Sequence, residues 1–150
     1  MDKVNIEGVI LTPLKKIPFP KGDVLHAIKK GDEGYIGFGE AYFSTINFGE
    51  IKGWNRHKEM TLNLIVPMGN VTFIVYDGRE KSPSYGNFNK IKLSPNFNYR
   101  RLTIPPGLWV TFKGNDKNTN LILNIASITH DPNELEKLDL DKIPYNFESV

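Results

Sequence analysis

Short apolar runs rich in Val, Ile, Phe and Tyr recur along the chain, cut by Gly, Pro and Asn. This is the pattern of many short strands separated by turns. It predicts strands over 5–12, 23–28, 37–47, 51–57, 61–66, 71–76, 90–93, 99–104, 108–113 and 121–128. Between the fifth and sixth, Pro67-Met68-Gly69-Asn70 supplies turn chemistry, with glycine free to take positive φ. Loops rich in Gly, Pro, Asn or charge are expected at 15–21, 29–35, 77–89 and 114–119. One short helix is predicted near the end. Asp131-Pro132-Asn133-Glu134 offers an N-cap aspartate, a proline at the first helical position and a glutamate at the third. Leu135, Leu138 and Leu140 would give it an apolar side. About ten strands and one late helix make an all-β chain, a sandwich or barrel that closes or doubles its sheets to manage their edges.

Composition narrows the function. The 150 residues suit one domain with a genuine core, and no interdomain linker or repeat interrupts them. The chain has no cysteine, which removes disulfides, thiolate metal sites and cysteine nucleophiles. A net charge of +2, from 19 basic and 17 acidic residues, points to neither a nucleic-acid nor a membrane partner. The polar start Met1-Asp2-Lys3-Val4-Asn5 lacks a signal peptide's apolar run, so a soluble, cytoplasmic protein is expected.

The densest polar cluster is Lys52-Gly53-Trp54-Asn55-Arg56-His57-Lys58-Glu59. On a regular strand Asn55 and His57 share one face, while Lys52, Trp54 and Arg56 share the other. With Thr61 and Asn63 of the next strand, Asn55 and His57 would line a hydrogen-bonding pocket suited to a hydroxyl-rich ligand; the competing reading is a wet edge with solvated side chains. No metal is expected, because His26, His57 and His130 lie far apart and Asn55 stands where a His-x-His pair would begin. His57 alone has the chemistry of a general base near neutral pH. Glu40 and Tyr42 share a strand face with Ser44 and are further acid or base candidates, Glu40 a weak one.

In order and spacing, several segments resemble the dTDP-4-dehydrorhamnose 3,5-epimerase family. Ile51-Lys52-Gly53-Trp54-Asn55 is similar to that family's Leu-Arg-Gly-Leu-His strand. The run from Gly69 to Arg79 is similar to its Gly-Glu-Val-Phe-Asp-Val-Ala-Val-Asp-x-Arg strand, and Leu102-Thr103-Ile104-Pro105-Pro106-Gly107-Leu108 to its Leu-x-Ile-Pro-x-Gly-Phe turn. The resemblance implies a cupin-type jelly-roll barrel across residues 1–150, a homodimer, a nucleotide-sugar pocket and no cofactor. It also implies proton abstraction beside a 4-keto group by a histidine, with a tyrosine across the pocket returning a proton.

This chain departs from the family at those positions. The family's base falls on Asn55, its acid on Asn124 and its phosphate-contacting arginine on Lys52, while a further family histidine becomes Val110. His57 is similar to the second member of a His-x-His pair in related sugar 3,4-ketoisomerases. The expected site is therefore His57 as catalytic base, with Lys52, Asn55, Arg56, Asn63 and Asn124 binding substrate. The second reading is a binder of carbohydrate or nucleotide sugar that has lost the acid and the base.

Overall fold

The computed structural model describes residues 3–150. Two five-stranded antiparallel sheets face each other. The first runs, in spatial order, β1 (Ile10–Pro13), β9 (Arg100–Ile104), β6 (Leu62–Met68), β11 (Leu121–Ala126) and β4 (Glu40–Thr45). The second runs β12 (Leu135–Lys137), β5 (Ile51–His57), β10 (Trp109–Gly114), β7 (Val71–Tyr76) and β8 (Phe88–Leu93). A separate ribbon pairs β2 (Lys16–Ile17) with β3 (Val24–Leu25). The all-β expectation holds. No helix among the described residues is long and apolar enough to cross a membrane.

Strand alternation decides what fills the space between the sheets. On β7, Val71, Phe73 and Val75 turn inward to meet Leu62, Leu64 and Val66 of β6 and Leu102 and Ile104 of β9. Ile74, on the other face of β7, joins a second cluster with Trp54, Trp109 and Ile143, over which Tyr145 and Phe147 of the C-terminal tail pack. The second sheet therefore has apolar material on both faces, which is why β7 reads as a continuous hydrophobic run.

The outer face of the first sheet is handled differently. Arg101 and Thr103 of β9 and Asn63 of β6 form a buried polar layer beneath the 26–34 segment. Arg101 donates to the carbonyls of Ala27 and Glu33 and lies 3.4 Å from Asp32. Asn63 donates to the Gly34 carbonyl and accepts from the Thr103 hydroxyl at 2.6 Å. Burial of these groups is offset by their pairing with one another and with the covering segment, the Arg101 Nε alone among the described polar side-chain atoms being buried without a partner.

The predicted C-terminal helix is not seen. Asp131 does cap, accepting from the Asn133 amide at 2.9 Å, and proline stands in the first turn. The helical turn then ends after Glu134, and Leu135–Lys137 becomes the edge strand β12 against β5. The pairing continues through reciprocal 3.0 Å bonds between the Trp54 and Leu138 backbones. Satisfying the free edge of β5 outweighs local helix signals, and no pattern within 131–140 reveals that edge.

A buried carboxylate ties the N-terminal segment to the loop after β7. Asp77 accepts from the Arg79 guanidinium and from the hydroxyls of Ser82 and Ser84, both at 2.6 Å. Ser84 in turn accepts the Glu7 amide, and Arg79 donates to the Glu7 carbonyl. Burial acts to raise the Asp77 carboxyl, but these donors outweigh it and hold it well below the usual carboxylate range. Asp77→Asn is expected to cost about 2–4 kcal/mol in urea unfolding, since the arginine loses its partner. Folded Asp77 holds its proton less tightly than the unfolded chain does, so it stabilises the wild type above about pH 4 and that contribution fades on acidification. The Asn variant should lose that part of the acid dependence.

Candidate functional site

The side of β5 that faces the opposite sheet is set by a bulge. β5 pairs with β10 as Asn55↔Val110 and Lys52↔Phe112, so Gly53 and Trp54 together stand opposite Thr111. Gly53 has φ +124°, and a Cβ there would lie 2.7 Å from the Val110 carbonyl oxygen, which requires glycine. The extra residue breaks strict alternation. Trp54 goes outward into the second apolar cluster, while Asn55 and Lys52 both pair with inward-facing residues of β10. The Lys52 ammonium reaches the first sheet, donating to the Thr45 carbonyl at 2.7 Å. Lys52 and Arg56 therefore lie on opposite sides of β5, not on one face as regular alternation predicts.

Asn55 and His57 open into a cavity of about 180 Å³ between the sheets. Its polar wall is completed by Tyr42 and Ser44 of β4 and Asn124 of β11, and its apolar wall includes Leu62, Leu64, Phe73, Val110 and Phe112. Three expected binding residues lie outside its lining: Lys52, whose ammonium is on the Thr45 carbonyl, and Asn63 and Arg56. Asn63 faces away from the cavity into the buried layer beneath the 26–34 segment, because Leu62 and Leu64 take the inward positions of β6. Arg56 forms a two-point ion pair with Glu136 of β12, at 3.1 and 2.8 Å, and lies 4.5 Å over the Trp109 ring. Its guanidinium is engaged on the outer face.

His57 has a partner that local sequence does not reveal. Its Nδ1 meets the carboxylate of Glu134, a residue only 3% exposed in the helical turn just before β12. The other Glu134 oxygen accepts the amides of Glu59 and Met60 at 3.1 and 3.3 Å. Burial acts to raise the Glu134 carboxyl, but the His57 bond and the two amides outweigh it and hold it below the ordinary carboxylate value. An ionised carboxylate on Nδ1 fixes the ring's orientation and leaves Nε2 as the nitrogen available in the cavity. That is the arrangement of an oriented general base.

Across the cavity, Asn124 donates from Nδ2 to the Tyr42 hydroxyl at 2.9 Å, and its Oδ1 accepts the Asn63 amide at 3.1 Å. Glu40, the other candidate on β4, is engaged away from the cavity, accepting the His130 amide. No three His, Cys, Asp or Glu side chains among the described residues gather where they could hold a metal ion.

Comparison with known proteins agrees with this architecture. The chain is 36% identical to a dTDP sugar isomerase of Desulfovibrio desulfuricans G20, with a TM-score of 0.92 over 97% of this chain and 94% of that one. It belongs to the family of dTDP-4-dehydrorhamnose 3,5-epimerases and related sugar epimerases. It is also 28% identical to the probable low-salt glycan biosynthesis epimerase of Haloferax volcanii, over 95% of this chain and 90% of the relative. The dTDP-4-dehydrorhamnose 3,5-epimerase of Sulfolobus tokodaii shares the fold, with a TM-score of 0.81 at 22% identity over all of this chain and 88% of that one. No family model matches the chain.

Within the epimerase family frame, the cavity keeps polar groups at 55 and 124, but both are amides. The titratable groups that line it are His57 and Tyr42, each hydrogen-bonded to a residue on a neighbouring strand or turn. Glu134→Ala would leave the Glu59 amide, the buried Met60 amide and an imidazole without their partner, and should cost about 2–4 kcal/mol in urea unfolding. Glu134→Gln keeps an accepting oxygen and should cost less. Arg56→Gln, which breaks a solvent-accessible pair, should cost about 1 kcal/mol or less.

Proposed function

We propose that this chain is an epimerase or isomerase of 4-keto dTDP-sugars, with His57 as the base that removes a proton from the carbon beside the ketone. The observation that carries this reading is that His57, which lines the cavity, is held from behind by the buried carboxylate of Glu134. A histidine that served only as packing would not need a buried carboxylate on one nitrogen and open space on the other side. The similarity to a dTDP sugar isomerase over nearly the whole of both chains supports the substrate class. Cavity size supports it as well. About 180 Å³ is small beside the several hundred Å³ typical of whole-ligand pockets, so the sugar ring enters and the nucleotide lies outside at the mouth.

Roles follow from position. Abstraction places charge on the ketone oxygen, which needs a donor. Asn55 lines the cavity beside His57 on β5, and its amide supplies that donor or holds a sugar hydroxyl. Lys52 reaches across one end of the sheets and offers a positive charge to the diphosphate, exchanging its bond to the Thr45 carbonyl for one to a phosphate oxygen. The two sheets are read as a cupin-type jelly roll, and the chain as a homodimer in which the edge strand β1 receives the partner.

Incubation with a dTDP-4-keto-6-deoxy sugar in D2O, followed by proton NMR, tests the reading. Deuterium should enter at C3 or C5. His57→Gln should slow that entry by roughly a hundredfold to ten-thousandfold while ligand binding persists. Lys52→Ala should raise KM by about tenfold, the loss of one charge-assisted contact, with little change in kcat. Ligand binding without any deuterium entry in the wild type would make the chain a binder and end the enzymatic reading.

A further inference from the structure

Resting on that reading, we infer that Tyr42 is the proton donor of the reaction, delivering to the face of the sugar opposite His57. Inversion at a carbon beside a ketone needs a second group on the far side of the ring. His57 belongs to the second sheet and Tyr42 to the first, so the cavity between the sheets separates them. Ser44, the other hydroxyl on that wall, is an alcohol and a far weaker acid than a phenol.

Asn124 is what makes Tyr42 specific. The two residues are direct partners in the β11–β4 ladder, so their side chains stand on the same face. The Asn124 carbonyl is committed to the Asn63 amide, which settles the orientation of its side chain and turns its NH2 toward Tyr42. An amide NH2 only donates. The Tyr42 oxygen is therefore an acceptor in that bond, and its own proton is left for the cavity. Once that proton is transferred, the same amide holds the phenolate oxygen. Position 124 then acts as a positioning group for a phenol on the next strand, one ladder step away.

The step balances without another reactant. The C–H bond breaks, its electron pair moves into the enolate and Nε2 of His57 takes the proton. The enolate carbon then takes the Tyr42 proton on the other face, leaving imidazolium and phenolate. Tyr42 is 38% exposed, so both groups return to their starting states through water.

The test separates abstraction from delivery by following deuterium entry and product together in D2O. Tyr42→Phe removes only the hydroxyl, so the ring still packs. It is expected to keep His57-dependent deuterium entry at the original configuration within about tenfold, while product formation falls by a hundredfold or more. Asn124→Ala should shift the ratio in the same direction by a smaller factor. Product formation at the wild-type rate in Tyr42→Phe overturns the assignment and leaves His57 as base intact. Loss of deuterium entry and product in equal measure in that variant also overturns it, because Tyr42 would then act on abstraction. Absence of deuterium entry in the wild type removes the proposed reaction, and this inference with it.

Discussion

A carboxylate buried between strands is tolerable only when its oxygens are satisfied, and the Glu134 carboxylate is satisfied from three directions. Its imidazole partner comes from the end of β5 and its amide partners from the turn that follows. One side chain thus holds the return of the C-terminal segment, the β5–β6 turn and the ring of His57 together. Next to it, Leu135–Lys137 zips onto β5, and the tail continues over Trp54 and Trp109. The same interaction that closes the second sheet also orients the one histidine in the cavity. Stability and chemistry are coupled there, so the residue that fixes the base cannot be changed without loosening the edge of the sheet.

The bulge at Gly53 is the second constraint. A strand of strict alternation would have to choose between burying Trp54 outward and turning Lys52 inward. Inserting one residue opposite Thr111 allows both. The outer face gains the tryptophan on which the tail packs, and Lys52 turns toward the first sheet and its Thr45 carbonyl. Arg56, beyond the bulge, falls outward and becomes part of the wall that holds β12 through Glu136. Neighbouring basic residues in one strand thus serve different ends: Arg56 holds an edge strand, and Lys52 spans the two sheets.

Buried polar residues on the first sheet follow a related logic. Asn63, Arg101 and Thr103 face away from the cavity and bind the backbone of the covering segment. Asn63 still reaches the site indirectly, because its backbone amide holds the Asn124 carbonyl. The cavity wall is therefore braced from the outer layer through a single strand, and the orientation of the Asn124 amide depends on that brace.

Strand positions were legible in the sequence because period-two patterning and turn residues are local. β5 and β7 were predicted to the residue, and the Gly69 turn joins β6 to β7 as expected. The face shared by Asn55 and His57 was legible for the same reason, and the resemblance carried by 51–55, 69–79 and 102–108 matched the family. Partners were not legible. Glu134 lies 77 residues from His57 and reads locally as a helix-capping glutamate, while Tyr42 lies 82 residues from Asn124. Asn63 was misplaced because alternation fixes which residues share a face but not which face is inside. Lys52 was misplaced because a bulge depends on the partner strand, whereas Arg56 lies on the outer face that alternation gave it, where Glu136 engages it. The sequence by itself determined the strands, the family and the face shared by Asn55 and His57, all of which depend on near neighbours. Only the tertiary structure decided which side chains meet in the cavity, because those contacts join residues that are distant along the chain.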